Sequence, residues 1–103
     1  MAYKIDVSED AHRDLDEIIT YIALVLTNAT AAIKLLDKIE KSYQSLVDNP
    51  YLYSLCDDAS LQEKGYRKIA INNYLVLYRI DGKRKKVFVV RILYGARNYV
   101  KLL

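Results

Sequence analysis

Residues 66–95 read Tyr66-Arg67-Lys68-Ile69-Ala70-Ile71-Asn72-Asn73-Tyr74-Leu75-Val76-Leu77-Tyr78-Arg79-Ile80-Asp81-Gly82-Lys83-Arg84-Lys85-Lys86-Val87-Phe88-Val89-Val90-Arg91-Ile92-Leu93-Tyr94-Gly95. β-Branched and aromatic residues dominate three runs, and turn residues separate them. The spacing predicts strands from Tyr66 to Ile71, from Tyr74 to Ile80 and from Val87 to Tyr94. Asn72-Asn73 makes a two-residue turn, because asparagine tolerates positive φ. Asp81-Gly82 opens the second turn, Lys83 to Lys86 continue it, and Gly95 ends the last strand. Joints this short make the three strands an antiparallel meander. The second and third runs are almost continuously apolar, as in strands covered on both faces for part of their length.

Working upstream, Tyr3, Ile5 and Val7 alternate with Lys4 and Asp6, the pattern of a short strand with one buried face. Ser8 is placed to cap a helix, with Glu9 and Asp10 where the helix dipole favours negative charge. Ala11, Leu15, Ile18, Ile22 and Val25 recur at helical spacing, with Ile19 and Leu26 widening the stripe, so a first helix is expected from Glu9 to about Leu26. Thr27-Asn28 breaks it. Ala32, Leu35, Leu36, Ile39, Tyr43, Leu46 and Val47 form a second stripe, which Asp48-Asn49-Pro50 ends. Helices joined this tightly pack as an antiparallel hairpin. Between residues 51 and 65, Tyr51, Leu52, Tyr53 and Leu55 are expected as partly buried loop anchors, with Leu61 in a short helical turn. The fold class is therefore α+β in the order β-α-α-β-β-β: an antiparallel sheet with the N-terminal helical hairpin packed on one face, as a single domain over residues 1–103.

The chain has 103 residues, 52% of them hydrophobic and 28% charged, enough for one core and too few for two domains. No apolar run reaches the length of a membrane span, and the N-terminus lacks the profile of a signal peptide. A single cysteine, Cys56, makes no internal disulfide, which points to a reducing cytoplasm. With one histidine and one cysteine, neither a metal nor any other cofactor is expected. The net charge of +3 conceals an asymmetry: residues 1–63 hold 5 Lys/Arg against 12 Asp/Glu, and residues 64–103 hold 11 against 1. A basic C-terminal segment of this strength implies an anionic partner.

Arg67, Arg79 and Arg91 lie inside strands, where an arginine needs an anionic partner or an open edge. By strict alternation Arg67 shares a face with Ile69 and Ile71, and Arg91 one with Val87, Val89 and Leu93. Each arginine either pairs with an acidic helix residue or meets an external anion. Ten tyrosines, with no tryptophan and one phenylalanine, are interleaved with this basic set. Tyr66, Tyr74, Tyr78, Tyr94 and Tyr99 suit either strand packing or stacking on nucleic-acid bases. Lys83 to Lys86 is a charged hairpin tip that could also touch phosphate. His12 reads as a surface residue, Asp57-Asp58 as a solvated loop and Cys56 as a small buried hydrophobe.

Taken in order, Tyr3-Lys4-Ile5-Asp6-Val7 with Ser8-Glu9-Asp10-Ala11, then Asp14-Leu15-Asp16-Glu17-Ile18 and Tyr21-Ile22, Asn49-Pro50, Tyr66-Arg67-Lys68, Asn73 to Ile80 and Val90 to Tyr99 resemble the RelE/ParE superfamily of bacterial toxins from type II toxin–antitoxin modules. The resemblance covers almost the whole chain. It implies a RelE/ParE-like fold and a toxin held inactive by a cognate antitoxin. Some members cut mRNA on the ribosome without a metal; others poison DNA gyrase without catalysis.

On the first reading the chain is a ribosome-dependent mRNA endonuclease. Arg67 and Lys68 would then hold phosphate, Arg97 would stabilise transition-state charge, and Tyr94 or Tyr99 would transfer a proton or stack. Lys64, Arg67, Lys68, Arg84, Lys85 and Lys86 would contact nucleic acid. An acidic antitoxin segment would cover Arg67, Arg79, Arg91 and Arg97. The alternatives are a gyrase inhibitor of the ParE type and a degenerate toxin serving only as an antitoxin-binding module. Leu75 stands where cutting members often carry arginine, and Tyr94 falls near a histidine position of the family.

Overall fold

The computed structural model describes residues 2–95 and 99–103. Strand β1 (Lys4–Val7) leads into helix α1 (Glu9–Thr20), a wide π-helical turn (Tyr21–Val25) and helix α2 (Ala29–Asp48). A short α3 (Ala59–Glu63) precedes β2 (Arg67–Ile71), β3 (Tyr74–Asp81) and β4 (Lys86–Tyr94), and a 3-10 turn spans Tyr99–Leu102. The strands stand in the order β1-β4-β3-β2. β2, β3 and β4 form the expected antiparallel meander, turning at Asn72 with its φ of 53°. β1 pairs with β4 in parallel, so the sheet is mixed. The helical hairpin between β1 and β2 carries the chain across the sheet, which lets β1 close the far edge of the meander.

The helices cover one face. Leu35, Ile39 and Leu46 of α2 are buried against Ile69, Ile71, Val76, Tyr78, Val87, Val89 and Ile92 of the sheet. On the opposite face Leu77 and Leu93 bury against Cys56 and Leu61, which the 51–66 segment folds back over the sheet. Asp58 caps α3 through the Leu61 N–H at 3.0 Å. Gly65, at φ 81°, ends it in a left-handed turn closed by Tyr66 N–H to Leu61 O at 2.9 Å.

The N-cap Ser8 and Asp14 in the first half of α1 align the helix on the sheet. β1 ends at Val7, so β4 has an unpaired edge beyond Val89. The Ser8 hydroxyl donates to Val90 O at 2.8 Å while its oxygen caps the Ala11 N–H. The Asp14 carboxylate accepts from Ile92 N–H at 3.0 Å and from the Arg91 guanidinium at 2.7 and 3.0 Å. Polar side chains thus replace the missing strand at that edge.

Three local expectations change. The first helix leaves α geometry at Tyr21: Leu26 N–H reaches back to Tyr21 O and Asn28 N–H to Ile22 O. The wider turn carries Val25 and Leu26 off the apolar stripe and into solvent. Tyr51 and Leu52 are more than half exposed, and the buried anchors of that loop are Pro50 and Cys56. In β4, Arg91 opposes Leu77 while Val89 opposes Tyr78, leaving Val90 as a bulge. The bulge resets the alternation, so Arg91 does not share a face with both Val89 and Leu93: Val89 packs under the helices and Leu93 on the other side.

Two tyrosine hydroxyls are enclosed. Tyr78 donates to Pro50 O at 2.7 Å, while the buried Tyr43 oxygen has no partner among the described residues. Burial pushes both hydroxyls up to about 12, with Glu40 adding to the effect at Tyr43. In the unfolded chain they ionise near 10. The fold is therefore insensitive to these groups below about pH 10 and loses stability as the pH climbs toward 12, by about 3 kcal/mol for Tyr78 alone. Thermal unfolding from neutral to strongly alkaline pH should show this fall. Tyr43→Phe should raise the midpoint, by about 1 kcal/mol of stability at neutral pH. Tyr78→Phe should lower it by stranding the Pro50 carbonyl.

Candidate functional site

The sheet face opposite the helices gathers one group of the basic and aromatic residues singled out above. Lys68 lies on it, opposite Leu77 in the ladder, and its ammonium pairs with Asp57 at 2.9 Å. That hydrogen bond is the main reason its pKa is raised, with Tyr99 and Cys56 also contributing. Tyr99 packs against the Cys56–Leu61–Leu77–Leu93 cluster. Burial pushes its hydroxyl up, Cys56 adds to this, and Lys68 opposes it. Further along, the Arg79 guanidinium lies 5.2 Å from the Tyr66 ring centre, and its Nε donates to Lys64 O at 3.1 Å. A groove of about 260 Å³ continues from Arg79 over Phe88 and Val90 to Asp6 and Ser8. The face is therefore a band of cations alternating with aromatic rings.

Other members of the expected set stand elsewhere. Arg67 projects to the helix side, where Nη1 donates to Tyr53 O at 2.6 Å and the guanidinium sits 5.3 Å from the Tyr51 ring centre. Adjacent residues of a strand point apart, so Arg67 and Lys68 do not share one phosphate site on the sheet. Tyr94 packs edge-to-face with Tyr74 at 5.8 Å, beside Ile18 and Tyr21 of the hairpin. Arg91 is paired with Asp14 and also donates to Leu102 O at 3.2 Å. Arg84 turns back to Asp81 at 3.6 Å, and Lys85 lies 5.1 Å from the Tyr3 ring centre. Lys86 begins β4 opposite Asp81, at the end of the sheet away from Tyr94. Arg97 lies outside the described residues. Arg91 thus takes the acidic helix partner that was one of its two expectations, whereas Arg79 rests on a ring and a carbonyl.

Two contributors were not singled out from the sequence. Asp57, read as a solvated loop residue, is the partner of Lys68, and only the fold-back of residues 51–66 reveals it. Phe88 lines the groove beside Arg79; its place next to the basic turn was a weak signal for a stacking surface. Among the described residues no cluster of three or more histidine, cysteine or carboxylate groups could hold a metal ion.

Cys56 lies in the cluster against which Tyr99 packs, fully enclosed, and burial pushes its thiol up. It should react with thiol reagents only as fast as the 51–66 cover opens. Leu61→Ala, which loosens α3, should accelerate labelling at least tenfold under native conditions; an unchanged labelling rate would show that α3 does not guard this face.

Residues 5–99 match the model of the ParE toxin of the type II toxin–antitoxin system, parDE. No curated protein matches the chain. Among solved structures, the chromosomal ParDE system from Pseudomonas aeruginosa superposes with a TM-score of 0.70 at 21% identity, covering 90% of this chain and 96% of that one. A mutant of the Escherichia coli RelE toxin in the free state gives 0.67 at 17% identity over 99% and 93%. The RelBE2 toxin–antitoxin complex from Mycobacterium tuberculosis gives 0.62 at 19% over 91% and 99%. At these identities the structures share the fold with this chain.

Proposed function

The chain belongs to the ParE toxin family and is a toxin of a type II toxin–antitoxin module, and from that premise we propose that it arrests growth by binding DNA gyrase rather than by cutting mRNA. The observation that carries this reading is the partition of the basic residues among the described positions, which do not include Arg97. RNA cleavage needs a phosphate-holding cation, a charge-stabilising cation and a proton carrier within reach of one ribose. Arg67 and Lys68 instead occupy opposite faces, Arg91 is engaged by Asp14, and Tyr94 stands apart from both, edge-on to Tyr74. Leu75 stands where cutting members of the superfamily often carry arginine. The cation-and-ring band from Lys68 to Phe88 suits a broad anionic or mixed protein surface, which arginine and tyrosine recognise well.

A cognate antitoxin would hold the toxin in the resting cell. An acidic segment suits the band around Lys68 and Arg79. An extended stretch could add a strand at β2, whose outer edge borders a groove lined by Lys38, Lys41, Ser42, Ser45 and Tyr53. The gathering of Lys68 and Tyr99 on one sheet face favours a second reading, mRNA cleavage on the ribosome, because it sets a cation and an acid–base group on the same side.

The deciding experiment supplies the purified toxin to gyrase with relaxed plasmid, and separately to programmed ribosomes in the presence of EDTA. Loss of supercoiling with intact mRNA is the expected outcome. Cleavage of mRNA in the ribosomal A site with supercoiling unaffected would replace this reading with the second.

A further inference from the structure

The tip of the helical hairpin carries the three most exposed large hydrophobic side chains among the described residues, Leu24, Ile33 and Val25. Leu24 is 72% exposed and Ile33 68%, and Tyr21, Val25 and Leu26 are each more than half exposed. The π-helical turn produces this display. Had α geometry continued, Val25 would have stayed on the buried stripe with Ile18 and Ile22. Thr27, a β-branched residue at φ 49°, holds the joint after it. The same region is the longest run of the chain without a charged residue, from Ile18 to Ile33. Thr20, Asn28 and Thr30 are exposed beside the apolar residues, so neutral polar groups flank the patch.

We propose that this tip is a self-association surface on which a second copy of the chain docks about a two-fold axis. The charge pattern selects that occupant. A two-fold interface sets each residue near its own counterpart, so a charged patch would repel itself while an uncharged one does not. An acidic partner would find its complement on the basic sheet face and none here. A lipid surface is met by helices with lysine and arginine along the polar side, and the run from Ile18 to Ile33 has neither. The exposed parts of the five side chains amount to roughly 500 Å² per copy, so two copies bury about 1,000 Å², the lower limit for a specific interface. The pairing is accordingly weak and concentration-dependent, and it leaves both sheet faces open.

Sedimentation of the purified full chain tests this independently of the toxin's target. A dimer should form reversibly as concentration rises through the micromolar range. Leu24→Glu, which sets two carboxylates against each other at the axis, should weaken it at least tenfold, and Ile33→Ser should weaken it less. Both sites are exposed, so unchanged thermal midpoints should show both variants folded. A chain that stays monomeric throughout would overturn the proposal. So would a dimer indifferent to Leu24→Glu, or a monomer that sediments with lipid vesicles through this tip.

Discussion

One carboxylate, that of Asp14, holds the two halves of the molecule in register. It accepts from a backbone N–H of β4 and from Nε and Nη2 of the Arg91 guanidinium, at the point where β1 has run out and the central strand would otherwise show a bare edge. Both partners are largely buried, with side-chain exposures of 12% for Asp14 and 23% for Arg91. Removing either charge strands the other, which is far costlier than losing a surface ion pair. Together with Ser8 on Val90 O, this contact aligns α1 on the sheet. Because α1 and α2 form one hairpin, aligning the first helps to set where the second packs.

That placement determines which residues are left to act. With the hairpin on one face, the opposite face is covered, among the described residues, by the 51–66 segment and the C-terminal turn, and there Lys68, Arg79, Tyr66 and Tyr99 collect. The bulge at Val90 sharpens the division. It keeps Val87 and Val89 under the helices while turning Leu93 to the other side. The acidic first half and the basic second half of the chain therefore meet only in part: Asp14 takes Arg91 and Asp57 takes Lys68, while Arg79 has an aromatic ring and a carbonyl for partners.

Much of this was legible in the residues. The three strands, the Asn72 turn, the Ser8 cap, the hairpin and the break at Pro50 follow from local periodicity and turn chemistry, which act over a few residues. The elements that escaped depend on contacts far apart in sequence. Nothing in Lys4–Val7 announces parallel pairing with a strand some eighty residues later. Nothing in Asp14 distinguishes it from the neighbouring Asp10 and Asp16 until Arg91 arrives. The bulge is silent because Val90 is one more β-branched residue in a run of them. The π-helical turn is silent because Val25 and Leu26 fit the apolar stripe they leave. For the site, alternation separated Arg67 from Lys68, but the partners that occupy Arg67, Tyr53 and Tyr51, come from an irregular loop.

The account rests on the claim that the face opposite the hairpin is the one that meets the target. Lys68 and Arg67 are adjacent, equally charged and on opposite faces, so they form a matched pair for testing it. Growth arrest should be measured on induction of Lys68→Glu and Arg67→Gln variants whose thermal midpoints show them folded. The account predicts that Lys68→Glu loses toxicity while Arg67→Gln keeps it. Retained toxicity in Lys68→Glu together with loss in Arg67→Gln would place the working surface on the helix side and contradict it.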